Sequence, residues 1–402
     1  MATGSNFSSP LRDHYDVIII GGAVMGSASA WFLASNPDFD GSILVVERDP
    51  AFTHCSSALS LSGVRHQFSC EINIRISMFA SGFIREFREI VGDEDAPDLN
   101  LIENGYLFLA SENGKAVLEQ NHAAQTKCGA RTELMTPDEI SRKFPFFATE
   151  DIALGSWNPE GEGWFDGPGM ARALRKAAIR IGAEYCSNEV VGLECNASKV
   201  NGVRLSTGEV IGCGTMVNCS GPRASLVAGY AGIKLPVVAR KRNVFVLACD
   251  HPIEGEMPLT IDPTGIYVRP EGAYFLSGFS PSVDPDVDYD DFEILYDQFD
   301  EVIWPILANR IPQFERLKVV NAWAGHYAYN TLDQNAIIGF HPEISNFMFV
   351  NGFSGHGMQQ SPAMGRGVSE MITYGEYRSL DLRELGFERV IRNEPLREQA
   401  VV

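Results

Sequence analysis

Residues 16–47 hold the feature that most constrains the fold. Asp-Val-Ile-Ile-Ile leads into Gly21-Gly-Ala-Val-Met-Gly26, a small-residue stretch follows, and Ile-Leu-Val-Val closes on Glu47. An apolar run, a glycine turn, a helix and a second apolar run predict a buried βαβ unit. Gly21 permits the sharp turn, and Gly26 lets helix and strand pack closely. The helix start at Gly22, Ala23, Val24 and Met25 offers main-chain N–H groups and a partial positive charge to a diphosphate. Glu47 lies 21 residues after Gly26, where a carboxylate can accept hydrogen bonds from both ribose hydroxyls. Arg48 adjoins it. Ala23 replaces the middle glycine of the pattern, and its methyl crowds the approach of main chain to phosphate. The turn alone therefore leaves the ligand open, and the diphosphate is expected on the N–H groups around 22–26.

Residues 17–35 carry no charge, but their middle is Gly, Ser and Ala around a turn, unlike a membrane span of about 20 predominantly apolar residues. A formal net charge of −20 argues against nucleic acid or an anionic membrane surface as partner. Nine of the acids fall between Asp284 and Glu301 with no basic residue among them, and read as a solvated face on a loop and helix. The eight cysteines show no CxxC and no zinc-like spacing, as expected of reduced thiols. Residues 1–10 show neither a secretory h-region nor an Arg-rich leader, so the expected location is cytoplasmic, or the mitochondrial matrix if a presequence was removed. The Asn-x-Ser/Thr matches at Asn6, Asn196 and Asn218 are read as chance.

Further along, periodicity predicts a helix over 71–91, a strand over 106–110 and a helix opened by Thr136-Pro-Asp-Glu139. A helix over 169–182 precedes strands at 188–194, which includes Val190, and at 202–205. The strand beginning at 216 runs into Ser220-Gly221. Strand-like runs at 244–248, 265–269 and 274–278 precede a helix over 291–310, and a buried strand at 347–350 opens into a helix to about 374.

That last strand–helix junction is a second glycine cluster, Gly352-Phe-Ser-Gly-His-Gly-Met-Gln359. Its helix N-terminus would face an electron-rich group. Two such termini in one chain suit FAD: one for the diphosphate, one for the flavin edge that becomes anionic on reduction. Phe353, Ser354, Gly355, Gly357 and Met358 are accordingly expected at the cofactor, with Gly352 and Gln359 on either side. The expected fold is α/β, a Rossmann-type FAD-binding domain with an interleaved α+β substrate domain built on an antiparallel sheet. The expected division assigns 1–91, 150–225 and 320–376 to the first, 92–149 and 226–319 to the second, and 377–402 to a tail.

Gly21–Gly26 with Glu47, Ser56-Ser57, residues 217–221 and Gly352–Gly357 resemble the D-amino-acid oxidase/sarcosine oxidase superfamily of FAD enzymes. More specific runs extend the resemblance over nearly the whole chain: residues 60–69 (with Ser62, Gly63 and Arg65), 163–166, 240–242, 323–335 and 352–362. The resemblance implies oxidation of a C–N bond in an amine or N-methyl amino acid, with hydride passing to flavin N5 and an imine hydrolysed by water. A small-molecule amine substrate and either O2 or a redox partner as acceptor follow. The same runs are similar to a mitochondrial branch implicated in respiratory-complex assembly, which implies the alternative of an FAD-containing assembly protein with little catalysis of its own.

Residue by residue, Arg65 looks like the arginine that binds the substrate carboxylate, and a structural salt bridge is its alternative. Gln359 stands where the family places a second, lysine, carboxylate ligand. Leu276 and Ser280 replace the lysine and histidine credited with oxygen activation, which favours a dehydrogenase at least equally. His326 aligns with a flavin-tethering cysteine and Ser60 with a linking histidine; noncovalent FAD is expected, with His326 as a pocket wall. Tyr327 stands where glycine oxidase has an arginine. Tyr267, Tyr327, Tyr329 and Arg269 are expected around a methylated ammonium, held by cation–π attraction; tyrosines at this spacing also suit simple sheet packing. His356 is expected to act through its main-chain N–H.

Overall fold

The computed structural model describes residues 7–251 and 253–399; the Asn6 match and the first residues of the leader reading lie outside them. The predicted βαβ unit forms as His14–Ile20, helix Val24–Ala34 and Ile43–Glu47, with the two strands parallel. They sit inside an eight-stranded sheet. His14–Ile20 also pairs in parallel with Val210–Asn218, which pairs in turn with Phe347–Asn351. Alternation divides the apolar side chains between two cores. Val17 and Ile19 face helices Val24–Ala34, Gly167–Arg180 and Gly357–Tyr374; Ile18 and Ile20 face the other side with Leu44, Val46 and Phe349.

The second eight-stranded sheet runs from Leu317–Asn330 through Val237–Cys249, Tyr274–Gly278, Tyr267–Glu271 and Leu259–Ile261 to Tyr106–Ala110, Leu154–Trp157 and Glu133–Met135. Its pairs are antiparallel except that Leu259–Ile261 runs parallel to Tyr106–Ala110. Sheet membership cuts across the expected division, since Leu154–Trp157 and most of Leu317–Asn330 lie in the segments assigned to the other layer. The tail is docked: Arg389 donates to the Asp333 carboxylate at 2.8 Å, and Glu398 accepts from the main chain of Ser69 and Cys70 at 2.7 and 2.9 Å.

Some boundaries move for identifiable reasons. Thr136 and Glu139 form the expected reciprocal cap with Pro137 at the first turn. The 71–91 helix breaks at Glu86 into Glu71–Arg85 and Phe87–Val91, ending at Gly92 in the left-handed region. The expected strand 244–248 is the end of Val237–Cys249, whose Arg240-Lys-Arg242 interrupts the apolar alternation that sequence reading follows. The helix expected over 291–310 is only Trp304–Arg310 after a π turn at Phe299–Ile303. Most acids of the segment before it are exposed, as expected of a solvated face, but its first part is also tethered: Asp284 binds Arg240 and Arg242, Asp290 binds Arg223 and Asp291 binds Lys241. Among the described residues no helix is long and apolar enough to cross a membrane, and no His/Cys/Asp/Glu cluster could hold a metal ion.

Candidate active site

A cavity of about 900 Å³ lies where the parallel strands end beneath the second sheet, at the upper end of the roughly 300–1,000 Å³ range of ligand sites. One end is made of main chain. Gly21 has φ +96°, and a Cβ there would come within 2.4 Å of the Cys219 carbonyl oxygen. A Cβ at Gly26 would come within 1.8 Å of the Gly21 carbonyl oxygen, so the helix lies against the turn with no room for a methyl. Glu47 is buried at the tip of its strand. Burial raises its carboxyl above the ordinary range, opposed by the N–H groups of Asp49 at 2.8 Å and Gly22 at 2.7 Å.

Those bonds correct one expectation. The Gly22 N–H is engaged by Glu47, and the Val24 N–H by Ser57 Oγ at 3.2 Å, so not every N–H of 22–26 is open to a diphosphate. Ala23 precedes the helix in extended conformation and lines the cavity, as do Gly21, Val24 and Met25. Arg48, Ser56, Ser57, Ser62, Gly63, Val190, Ser220 and Gly221 line it too; Gly22, Gly26 and Gly352 do not, and act from behind the wall.

The second glycine turn meets the same cavity from the other side. Ser354 donates its N–H to Ala328 O and accepts the Asn330 N–H on Oγ, both at 2.9 Å, stapling the turn to strand Leu317–Asn330. Gly355 has φ +99°, and a Cβ there would lie 2.6 Å from the Tyr327 ring. Helix Gly357–Tyr374 starts at this point, and Phe353 to Gln359 line the cavity. Phe353 and Met358 do so as expected while packing into the core behind the turn, which fixes the helix start in place. That first turn supplies the positive end of a long helix. Two helix starts, a buried carboxylate one strand away and close main-chain packing form a set of groups that fits FAD: Glu47 would accept from the ribose hydroxyls, the first turn would hold the diphosphate and the second the flavin edge.

The remaining wall is side chain. Arg65 is 4% exposed. Its main-chain N–H donates to Gln359 Oε1 at 2.8 Å, Nη1 donates to Gln67 O, and Nη2 lies 3.1 Å from His356 Nε2. Its guanidinium stacks 3.9 Å from the Phe68 ring centre. Burial and the neighbouring Arg65 charge push the His356 imidazole down to about 3, so this ring is neutral and accepts from the guanidinium. His356 thus meets Arg65 through its side chain, while its main-chain N–H, expected at the cofactor, donates to Phe353 O at 2.9 Å. Beneath Arg65, Glu162 is wholly buried and accepts the N–H groups of His66 and Gln67 and the amides of Gln67 and Asn158. Burial pushes its carboxyl up to about 7 against those donors.

Tyr267 and Tyr327 line the cavity; Arg269 and Tyr329 do not. Arg269 donates to Pro270 O, to Glu271 and, at 3.1 Å, to Leu61 O, so it braces the wall from outside. Arg240 covers the Tyr329 ring at 4.2 Å. His326 lines the cavity with Nε2 2.7 Å from Asp291 O and its ring stacked on Phe292 at 4.4 Å. Sequence reading missed Tyr106, Leu259, Ile261 and Arg242 as lining groups and Glu162 beneath them. Only Arg242 carried a signal, as a charge within an otherwise apolar strand. Burial raises the Tyr106, Tyr267 and Tyr327 hydroxyls, which therefore remain neutral donors.

Comparison with known proteins agrees with this architecture. FAD-dependent oxidoreductase domain-containing protein 1 of Xenopus laevis is 39% identical, over 96% of this chain and 85% of its own length. Mitochondrial sarcosine dehydrogenase of Mus musculus is 24% identical over 92% of this chain and 40% of its own. The crystal structure of L-proline dehydrogenase from P. horikoshii superposes with a TM-score of 0.84 at 27% identity, covering 96% of this chain and all of that one. The DAO family pattern, described as FAD dependent oxidoreductase, matches residues 16–371. The chain belongs to the DAO family of FAD-dependent oxidoreductases.

Proposed function

We propose that this protein oxidises the C–N bond of a secondary or N-methylated amino acid, with noncovalently bound FAD. The observation that carries this reading is Arg65. It is a buried guanidinium on the cavity wall, joined through Gln359 and His356 to the helix start that would hold the flavin edge. An arginine so placed can anchor a carboxylate and set the adjoining carbon at a constant position. Relatives named for sarcosine and L-proline, both secondary amino acids, support the substrate class.

Bound FAD supplies the two-electron acceptor for the hydride beside nitrogen. The chain's residues do the rest. Arg65 binds the carboxylate, neutral Tyr106, Tyr267 and Tyr327 exclude water and orient the amine, and their aromatic faces tolerate an alkylated nitrogen. His326 is committed to Asp291 O and Phe292, which supports a wall role over a flavin link. With Leu276 and Ser280 in place of the oxygen-activating pair, we assign the enzyme as a dehydrogenase.

Acid release followed by identification of the flavin, then anaerobic bleaching with N-methyl amino acids, cyclic secondary amino acids and D-amino acids, tests this. Bleaching by a secondary amino acid is expected. An FAD-loaded protein silent across the panel overturns catalysis and supports the assembly-protein reading.

A further inference from the structure

Glu162 does not line the cavity, and the reaction as described does not use it. Its wholly buried carboxylate meets four donors. Oε1 accepts the N–H groups of His66 and Gln67 at 2.6 and 3.1 Å and the Asn158 amide at 3.1 Å; Oε2 accepts Gln67 Nε2 at 2.7 Å. Two consecutive N–H groups on one oxygen fix the peptides on either side of His66. The Phe68 N–H closes the turn on His66 O at 2.8 Å. This same turn holds the guanidinium, since Arg65 Nη1 donates to Gln67 O and the Phe68 ring centre lies 3.9 Å from it. Gln67 also reaches the second sheet: Nε2 donates to Tyr106 O at 3.1 Å, and Oε1 accepts from Ser156 Oγ at 2.7 Å, which sets the way the amide faces. Glu162 O accepts the Gly105 N–H at 3.0 Å, one residue before Tyr106. One buried carboxylate therefore ties the turn carrying Arg65 to the strand carrying Tyr106.

We propose that Glu162 is a positioning residue for the substrate: it sets the 65–68 turn so that the Arg65 guanidinium meets a carboxylate in the cavity, and it acts through Arg65 without touching the ligand. This rests on the amine-oxidation reading above, in which Arg65 anchors the substrate carboxylate. The physical case is one of tolerance. An arginine side chain has many rotamers, and a fork that grips a carboxylate by two N–H groups must keep its plane. Gln67 O and the Phe68 ring hold that plane only while the turn that bears them keeps its shape. Stability alone is a weak reason for this carboxylate, because a group taken wholly out of water pays for desolvation that an apolar side chain of similar volume avoids.

A double-mutant cycle separates positioning from support of the fold, because residues that act through one another are not additive and independent ones are. The probe is (methylthio)acetate, a carboxylate whose sulfur stands in for the amine nitrogen and cannot be oxidised by hydride loss to an imine. Its affinity for the FAD-loaded protein is read from the flavin absorbance change in the wild-type protein, Glu162→Gln, Arg65→Met and the double variant. Glu162→Gln keeps the side-chain shape but sets a donating NH2 among donors. It is expected to weaken the probe about tenfold in the wild-type background and about twofold or less in Arg65→Met, with FAD retained throughout. Ser156→Ala removes one hydroxyl and frees the Gln67 amide to turn over. It is expected to give a smaller loss, also absent from the Arg65→Met background, and carries the test should Glu162→Gln fail to fold. A loss of equal size in both backgrounds, or none in the wild-type background, overturns the inference while leaving the amine reading intact. A wild-type protein that neither binds the probe nor bleaches with any amine overturns both.

Discussion

The two ends of the cavity are built from different material. At the Gly21–Gly26 end every contact involves main chain: a Cβ at Gly26 would meet the Gly21 carbonyl oxygen at 1.8 Å, and the Glu47 carboxylate is held by two N–H groups. At the Arg65 end the wall is made of side chains, with Arg65, Tyr106, Tyr267, Tyr327 and Arg242 contributed by five separate stretches of sequence. A main-chain site tolerates little change in its glycines because a carbonyl cannot step aside.

The sharpest way to break that comparison is Gly26→Val. Overpacking usually costs about 1–3 kcal/mol, and here the obstacle is backbone, so a loss of about 3 kcal/mol or more and a colourless protein are expected in urea unfolding and flavin assay. A variant that retains FAD at wild-type stability would show that the turn is not the rigid end. Arg65→Met addresses the other end: flavin stays bound, while affinity for a carboxylate ligand falls about 10- to 150-fold, the worth of about 1.5–3 kcal/mol for a bond to a charge. Unchanged affinity would remove Arg65 from the site.

A pH experiment separates support from contact. Burial raises the Glu162 carboxyl from its ordinary 4.5 to about 7, so the folded protein favours its protonated form. That contribution is full below about pH 4.5 and is lost as pH rises through about 7, with a slope of at most about 1.4 kcal/mol per pH unit. Glu162→Gln should flatten the fall in stability between pH 5 and 8, whatever its effect on the absolute level; an unaltered slope would mean that Glu162 does not titrate there. The smallest effect is expected from Arg269→Met. This loses the brace to Leu61 O, with about 1–2 kcal/mol of stability, and leaves ligand affinity within about threefold. An affinity loss comparable to that of Arg65→Met would bring Arg269 into the site.

What the sequence determined by itself is the part governed by local sterics and periodicity. The glycine spacing at 21–26, the carboxylate at 47, the reciprocal cap at Thr136–Glu139, and strands Tyr106–Ala110 and Tyr274–Gly278 each follow from neighbours a few residues apart. The second glycine turn was legible from its place between a strand and a helix, and Arg65 was singled out through a resemblance that extends along the chain; both line the cavity. Tertiary structure alone decided the rest. Arg240-Lys-Arg242 reads as a break in an apolar strand until the acidic segment from Asp284 folds over it, because complementary charges 42 residues apart have no local signature. Tyr267 and Arg269 share a strand, yet one lines the cavity and the other braces it, since alternation gives the face of a strand but not where the cavity stops. His356 owes its shifted protonation to burial beside the Arg65 charge, and Glu162 to burial that outweighs its N–H donors; burial is a property of the packed chain rather than of any segment of it.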